Sequence, residues 1–267
     1  MKKKTNQSKL HSTSLARLLA VWTPGMVLST KYLSKLDIPP KTAYYLAKNA
    51  ILESIGDSAY KKANDMPLWE GVVDALQSQL GIPIHVGGRS ALHLHGVSQY
   101  LELEPKIWLF SQSKVNLPKW FKEFKWNFTW HFNQMVLLGQ DAVVSSSSLH
   151  EIQQNGFTIR ISKRERAILE MINLIGKHHE FHEVDELFEG LLTLDPQVIQ
   201  SLLLRCKSIK VCRVFLYLAH KHKHSWVKNI DESQINLGTG KREIVKGGIL
   251  DSRYLITVPR TMEIPDA

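Results

Sequence analysis

The 267-residue chain is 43% hydrophobic and 22% charged, ordinary for a soluble globular protein with apolar content for one large core or two modest ones. It has no run of about 18 apolar residues to span a membrane, and its two cysteines, Cys206 and Cys212, are too few for a disulfide framework or a four-cysteine zinc site. The net charge of +9 is concentrated: residues 1–65 hold eleven Lys/Arg against four Asp/Glu, and the rest is close to balance, so the first quarter is suited to a polyanion such as nucleic acid.

The start, "MKKKTNQSKLHSTS", is basic but has neither the apolar core nor the small-residue cleavage site of a signal peptide, and the chain is read as cytoplasmic. In "SLARLLAVWTPGMVLST", Leu15, Leu18, Leu19 and Trp22 fall at helical spacing before Pro24-Gly25 stops the helix. Ser29 or Thr30 caps a second short helix running to about Leu36. Asp37 to Pro39 turn the chain, and Pro40 suits the first position of a third helix. There Ala43, Leu46 and Ala47 share one face, and Lys41, Tyr44, Tyr45 and Lys48 point away. "AILESIGDSAYKKAND" reads as two short strands around Gly56-Asp57-Ser58, which makes a wing.

The order of these elements predicts a winged helix-turn-helix over residues 1–65, with the third helix in a DNA major groove. The candidate DNA contacts are Ser29, Thr30, Lys31, Lys41, Thr42, Tyr44, Tyr45, Lys48, Lys61 and Lys62. Lysines neutralise phosphates, the tyrosines offer hydroxyls and ring faces, and a hydroxyl at a helix start bonds phosphate. Lys2, Lys3 and Lys4 add a basic arm. The same tri-helical fold also serves protein contacts, in which case Tyr44 or Tyr45 packs.

Residues 66–267 read as a mixed α/β domain followed by helices. An amphipathic helix runs from about Pro67 to Leu80, then "IPIHV" is a strand and Gly87-Gly88 turns the chain into a helical "RSALHLHG". "KIWLF", Trp126 to Phe132 and "FTIRIS" read as strands, and "SSSSLHEIQQNG" as loop. Ser162 and Glu165 form a capping box opening the helix of "SKRERAILEMINLIG". A helix from Asp195-Pro196 to Arg205, another in "SIKVCRVFLYLAHKH", and a terminal hairpin in "REIVKGG" and "YLITVP" follow.

Several motifs here resemble sites. "HKHKH" scatters His220, His222 and His224 around a helix with lysines between, which opposes a metal; His178 or His179 with His182 near Glu183 lacks a third fixed ligand. "LGTGKRE", with Gly238, Gly240 and Lys241, lacks the spacing of a phosphate loop and reads as a turn. Arg205 to Lys228 holds seven basic residues and no acid, and Glu180 to Asp195 six acids and no Lys or Arg; such blocks are solvated faces or meet a charged partner.

"HVGGRSAL" is similar to the glycine turn that seats nucleotide phosphates in nucleotidyltransferases, making Gly87, Gly88 and Arg89 a candidate functional turn. That chemistry also needs carboxylates on the following strand to hold metal ions. "KIWLF" has none, and Glu102 and Glu104 precede it as edge residues. The expectation is the shell of a nucleotidyltransferase-like fold that is not an enzyme, with no catalytic residue, metal or cofactor.

Taken together, "PGMVLSTKYLSKL", "LESIGDSAYKK", "LWEGVVDALQSQLGIPIHVGGRSALHLHG", "ISKRERAILEMI" and "LGTGKREIVKGGILDSRYLITVP" resemble the AbiEi family of abortive-infection antitoxins from type IV toxin–antitoxin systems. The resemblance implies a winged helix-turn-helix that represses its own operon at inverted repeats. It also implies a C-terminal domain that counters a nucleotidyltransferase toxin, encoded just downstream, without a stable complex, in phage defence. This chain departs from the family at the wing, where Gly56-Asp57-Ser58 replaces a Gly-Arg-Gly type turn; Asp57 repels phosphate and shifts the basic duty toward Lys61 and Lys62. "KNAILES" also lacks a Gly-Trp pair. The alternatives are a solitary winged-helix regulator with a protein-binding C-terminal domain, and an active nucleotidyltransferase.

Overall fold

A computed structural model describes residues 13–97, 105–138 and 147–260. Helix α1, described over residues 13–20, ends ahead of Pro24-Gly25, and β1 (Leu28–Ser29) follows. Helix α2 (Thr30–Lys35) starts where the Ser29 Oγ accepts the Tyr32 N–H at 3.1 Å, so Ser29 rather than Thr30 is the cap. Asp37, at φ 55°, reverses the chain and drops Ile38 into the core. Helix α3 (Pro40–Lys48) then opens with proline at its first position, where no N–H is needed. Strands β2 (Leu52–Ser54) and β3 (Ala59–Lys62) form the wing, with β3 central in an antiparallel sheet of order β1-β3-β2. The N-terminal segment is a winged helix-turn-helix.

The helix expected from Pro67 to Leu80 is α4 (Trp69–Asp74) running into a π-helical turn over Ala75–Gln79. The wider turn serves two buried glutamines. Gln79 accepts the Ser29 N–H at 2.9 Å and donates to the Val27 carbonyl at 2.7 Å. Gln77 accepts the Arg160 N–H at 2.8 Å and donates to the Ile84 and Arg160 carbonyls. Insertions of this kind leave backbone groups for side chains to satisfy and re-aim neighbours on the helix; here they tie the winged helix to the next sheet.

That sheet has β4 (His85–Val86), β5 (Lys106–Ser111), β6 (Thr129–Gln134), β7 (Leu149–Gln154) and β8 (Phe157–Ser162) in the order β6-β5-β4-β8-β7. Pairs β5–β6 and β4–β8 are parallel; β4–β5 and β7–β8 are antiparallel. Both faces are covered. Ile107, Leu109, Ile159 and Ile161 share a core with α4 and the winged helix, and Trp108 and Phe110 face the C-terminal helices. Strand β7 lies inside the expected loop. It is an edge strand whose residues are mostly half-buried, reached from β8 by an Asn155-Gly156 turn with both residues at positive φ (49° and 83°).

On the second face sit α5 (Gly88–Leu94), α7 (Arg164–Asn173), α8 (Phe181–Glu189), α9 (Pro196–Arg205) and α10 (Ile209–Lys221); the short α6 (Lys119–Glu123) buries Trp120 and Phe121 in the first core. The expected capping box does not form. Lys163 is the α7 cap, Ser162 Oγ turns to Glu170, and Glu165 accepts the Asp195 N–H at 2.9 Å. The C-terminal hairpin pairs β9 (Ile249–Asp251) with β10 (Ile256–Val258), later than "REIVKGG" suggests. The "LGTG" turn wraps buried Arg213, which donates to the carbonyls of Leu237, Gly240 and Leu255. Among the described residues no helix is long and apolar enough to cross a membrane.

Gly71 of α4 packs closely against both Gly25 of the winged helix and Phe157 of β8. A methyl group there would lie 2.3 Å from the Gly25 carbonyl oxygen and 3.1 Å from the Phe157 ring. Gly71→Ala is expected to destabilise the protein by about 1–3 kcal/mol despite the better helix propensity of alanine. A lower urea midpoint checks this; an unchanged or raised midpoint would show that the contact gives way.

Candidate nucleic-acid interface and a closed glycine turn

Helix α3 divides as its spacing predicts. Thr42, Ala43 and Leu46 pack inward, while Lys41, Tyr44 and Lys48 are exposed in one stripe at steps of three and four residues. Tyr44 is 62% exposed for so large a side chain, and Tyr45, half-buried, supports it edge-on at 6.0 Å. Lys31 is exposed on α2 with its Nζ 3.4 Å from the Leu80 carbonyl, and Thr30 is half-buried beside it.

Three candidates leave this surface because they are buried. Ser29 is 1% exposed, with its hydroxyl occupied as the α2 cap. Thr42 is 4% exposed, on the core face of α3. Lys61 is 7% exposed, bonded to Glu53 at 2.5 Å and to the Asp65 carbonyl at 3.0 Å, so its charge is spent inside the wing. Lys62 is exposed, its ammonium 5.9 Å from the Trp22 ring centre. Lys2, Lys3, Lys4, Glu102 and Glu104 lie outside the described residues.

The glycine turn holds a ligand of the chain's own. Gly88, at φ 51°, opens α5, and its N–H donates to Glu170 Oε2 at 2.9 Å. Ser162 Oγ donates to the same oxygen at 2.9 Å; His85 Nε2 and Arg166 Nε reach Oε1 at 2.7 and 2.8 Å. A methyl group at Gly87 would meet Glu170 Oε2 at 2.2 Å. Gly87 and Gly88 are therefore glycines because a carboxylate and the Phe110 ring press against them, and the N–H that would meet a phosphate is taken. Only Arg89 points outward from the turn, to Glu183 at 2.7 Å.

The electrostatics follow from burial. Desolvation alone would raise the Glu170 carboxyl, but His85 and Arg166 outweigh it and hold it down at about 2. Burial pushes His85 down despite the pull of Glu170, and its Nε2 faces a carboxylate oxygen that only accepts, so Nε2 carries the hydrogen of that bond. The balancing cation is Arg166, a buried i,i+4 partner.

The histidine motifs disperse into separate bonds. His93 is exposed, and His95 Nε2 meets the Ser162 carbonyl at 2.9 Å. His179 pairs with Glu183 at 3.2 Å beside Trp108, while His182 is exposed. His220 bonds Glu232, His222 bonds Asp185, and His224 bonds the Phe188 carbonyl. Among the described residues no group of three or more His, Cys, Asp or Glu is placed to hold a metal ion. The acidic and basic blocks meet each other in part: Asp185 of α8 receives both Lys221 and His222.

Sequence reasoning missed two residues here. Glu170 gave one sign, its i,i+4 spacing from Arg166. Lys119, 3.9 Å from the wing's Asp57, gave none, because the two are far apart in the chain.

Two family profiles match adjoining stretches. Residues 11–103 match a profile described as a transcriptional regulator, AbiEi antitoxin N-terminal domain; residues 104–259 match one described as a transcriptional regulator, AbiEi antitoxin, type IV TA system. The fold is similar to the crystal structure of the RV2827C protein from Mycobacterium tuberculosis, with a TM-score of 0.61 and 10% sequence identity over 92% of this chain and 89% of that one. That likeness is one of fold alone. No curated protein matches the sequence.

Glu170→Ala is expected to cost about 3–5 kcal/mol, since it removes the carboxylate shared by the Arg166 guanidinium and three further buried donors. The pH dependence has a definite sign. The folded carboxyl sits below its ordinary 4.5, so its stabilisation is complete above 4.5 and drains away as pH falls toward about 2. His85, lowered from 6.5, acts in the same direction at higher pH, because the unfolded chain takes up its proton first. Urea titrations of wild type and Glu170→Gln across this range test the account; equal acid sensitivity of the two would refute it.

Proposed function

Because the chain belongs to the AbiEi antitoxin family, transcriptional regulators of type IV toxin–antitoxin systems, we propose that it is an autorepressor and antitoxin. Residues 1–65 bind inverted repeats in the promoter of its own operon, and residues 66–267 counter a nucleotidyltransferase toxin without a lasting complex, both in the cytoplasm. The observation that carries the DNA-binding reading is the α3 stripe of Lys41, Tyr44 and Lys48, exposed on the helix that follows the turn in a segment holding most of the excess positive charge. The core face of α3 fixes its roll, and α2 with the wing fixes its position. Lys41 and Lys48 meet phosphates; Tyr44 meets backbone or base edge. Thr30, Lys31, Tyr45 and Lys62 are the further contacts of this reading.

A non-enzymatic role for the second part draws support from the same geometry. The Gly88 N–H is occupied by Glu170, and the adjacent strand β5 offers no carboxylate to a metal. The antitoxin then acts by regulation and by contacts, not by nucleotidyl transfer.

Lys41→Ala with Lys48→Ala is expected to weaken binding to promoter and unrelated duplexes alike, and to reduce the slope of log affinity against log salt by about one per lost phosphate contact. Fluorescence anisotropy at several salt concentrations reads both quantities. Wild-type affinity and slope in this double variant would remove α3 from the groove.

A further inference from the structure

The wing poses a charge problem. Its tip carries Asp57, 82% exposed, and of its two lysines one is buried against Glu53 and the other lies beside Trp22 at the far end of β3. A tip with a lone carboxylate would repel the phosphates flanking the major groove. The chain folds so that the tip does not stand alone. Gly56 packs directly on α6: a methyl group at Gly56 would lie 3.1 Å from Trp120 Cβ and 3.2 Å from Trp120 Cα. Trp120 and Phe121 are buried beneath, which anchors this five-residue helix through its apolar side. Its other side carries Lys119 and Lys122, both exposed and three residues apart on one face. Lys119 Nζ stands 3.9 Å from Asp57 Oδ2.

An ion pair this exposed contributes little to stability, so folding alone does not account for the placement of Lys119. We propose that α6 completes the wing: Lys119 cancels the charge of Asp57, and Lys119 and Lys122 together supply the phosphate contacts that the wing's own turn does not. This rests on the DNA-binding reading and deepens it, extending the interface to a segment that follows β5. The partner is the sugar–phosphate backbone beside the groove read by α3, so the contribution is independent of sequence and sensitive to salt.

The test uses the full chain and a fragment of its own promoter, with anisotropy titrations across salt for wild type, Asp57→Asn, Lys119→Ala, Asp57→Asn with Lys119→Ala, and Lys119→Ala with Lys122→Ala. Expected are weaker binding in Lys119→Ala and partial recovery when Asp57→Asn is added. The double lysine variant should lower the salt slope by about one to two. All four variants should melt at the wild-type temperature, because the side chains are exposed. Wild-type affinity and slope in Lys119→Ala with Lys122→Ala overturns the inference. Lys41→Ala with Lys48→Ala, run alongside, separates the failures. If it loses binding while the α6 variants do not, α6 alone is misassigned; if wild-type protein does not bind the promoter, the DNA-binding reading falls and this inference with it.

Discussion

A single buried carboxylate organises the centre of the protein. Glu170 of α7 accepts four hydrogen bonds, from His85 on β4, Gly88 at the start of α5, Ser162 at the end of β8, and Arg166 one turn back on its own helix. Burying an ionised carboxylate without partners costs many kcal/mol, so its position tolerates little movement in any donor. The parallel β4–β8 pair and the helices α5 and α7 over it all contribute to the shell of this one carboxylate. A neutral side chain at position 170 would leave these elements to the β4–β8 ladder, the His95–Ser162 bond and apolar packing, without the anion that faces Arg166.

That cluster also explains why the glycine turn resembles a phosphate cradle. The features needed to receive an anion, an exposed backbone N–H and no Cβ, serve equally when the anion is a side chain of the same protein. The strand-to-helix geometry is the same; the difference lies 82 residues further along the chain.

Much of the winged helix was legible because its signals are local. Pro40, the Ser29 cap, the reversal at Asp37 and the 3.6-residue period of α3 each act within a few residues, and the wing hairpin is equally local. Lys61 was legible too, had period two been followed along β3, since it shares the inward face of Ala59. Strand β7 was hidden by its edge position, where polar residues are tolerated on both faces, although the Asn155-Gly156 pair marked its hairpin. The capping box failed because Ser162 had a stronger competitor in a buried carboxylate. The pairing of Lys119 with Asp57, and of Glu170 with the glycine turn, depends on the tertiary fold and leaves no periodic trace.

The π-helical turn has a mechanical consequence. Gln79 grips β1 and Gln77 grips β8 from adjacent points on one turn, and the apolar packing runs across them from Leu18 to Ile161. The C-terminal helices are therefore not cargo on a swinging tether. On the proposed seating of α3 in a groove, they would stand at a set azimuth around the duplex. Each added base pair between two repeats would rotate one helical half relative to the other by roughly 35°, given about 10–10.5 base pairs per turn. Under that proposal, repeat spacing would be an architectural instruction, deciding whether two such halves face each other or opposite sides of the DNA.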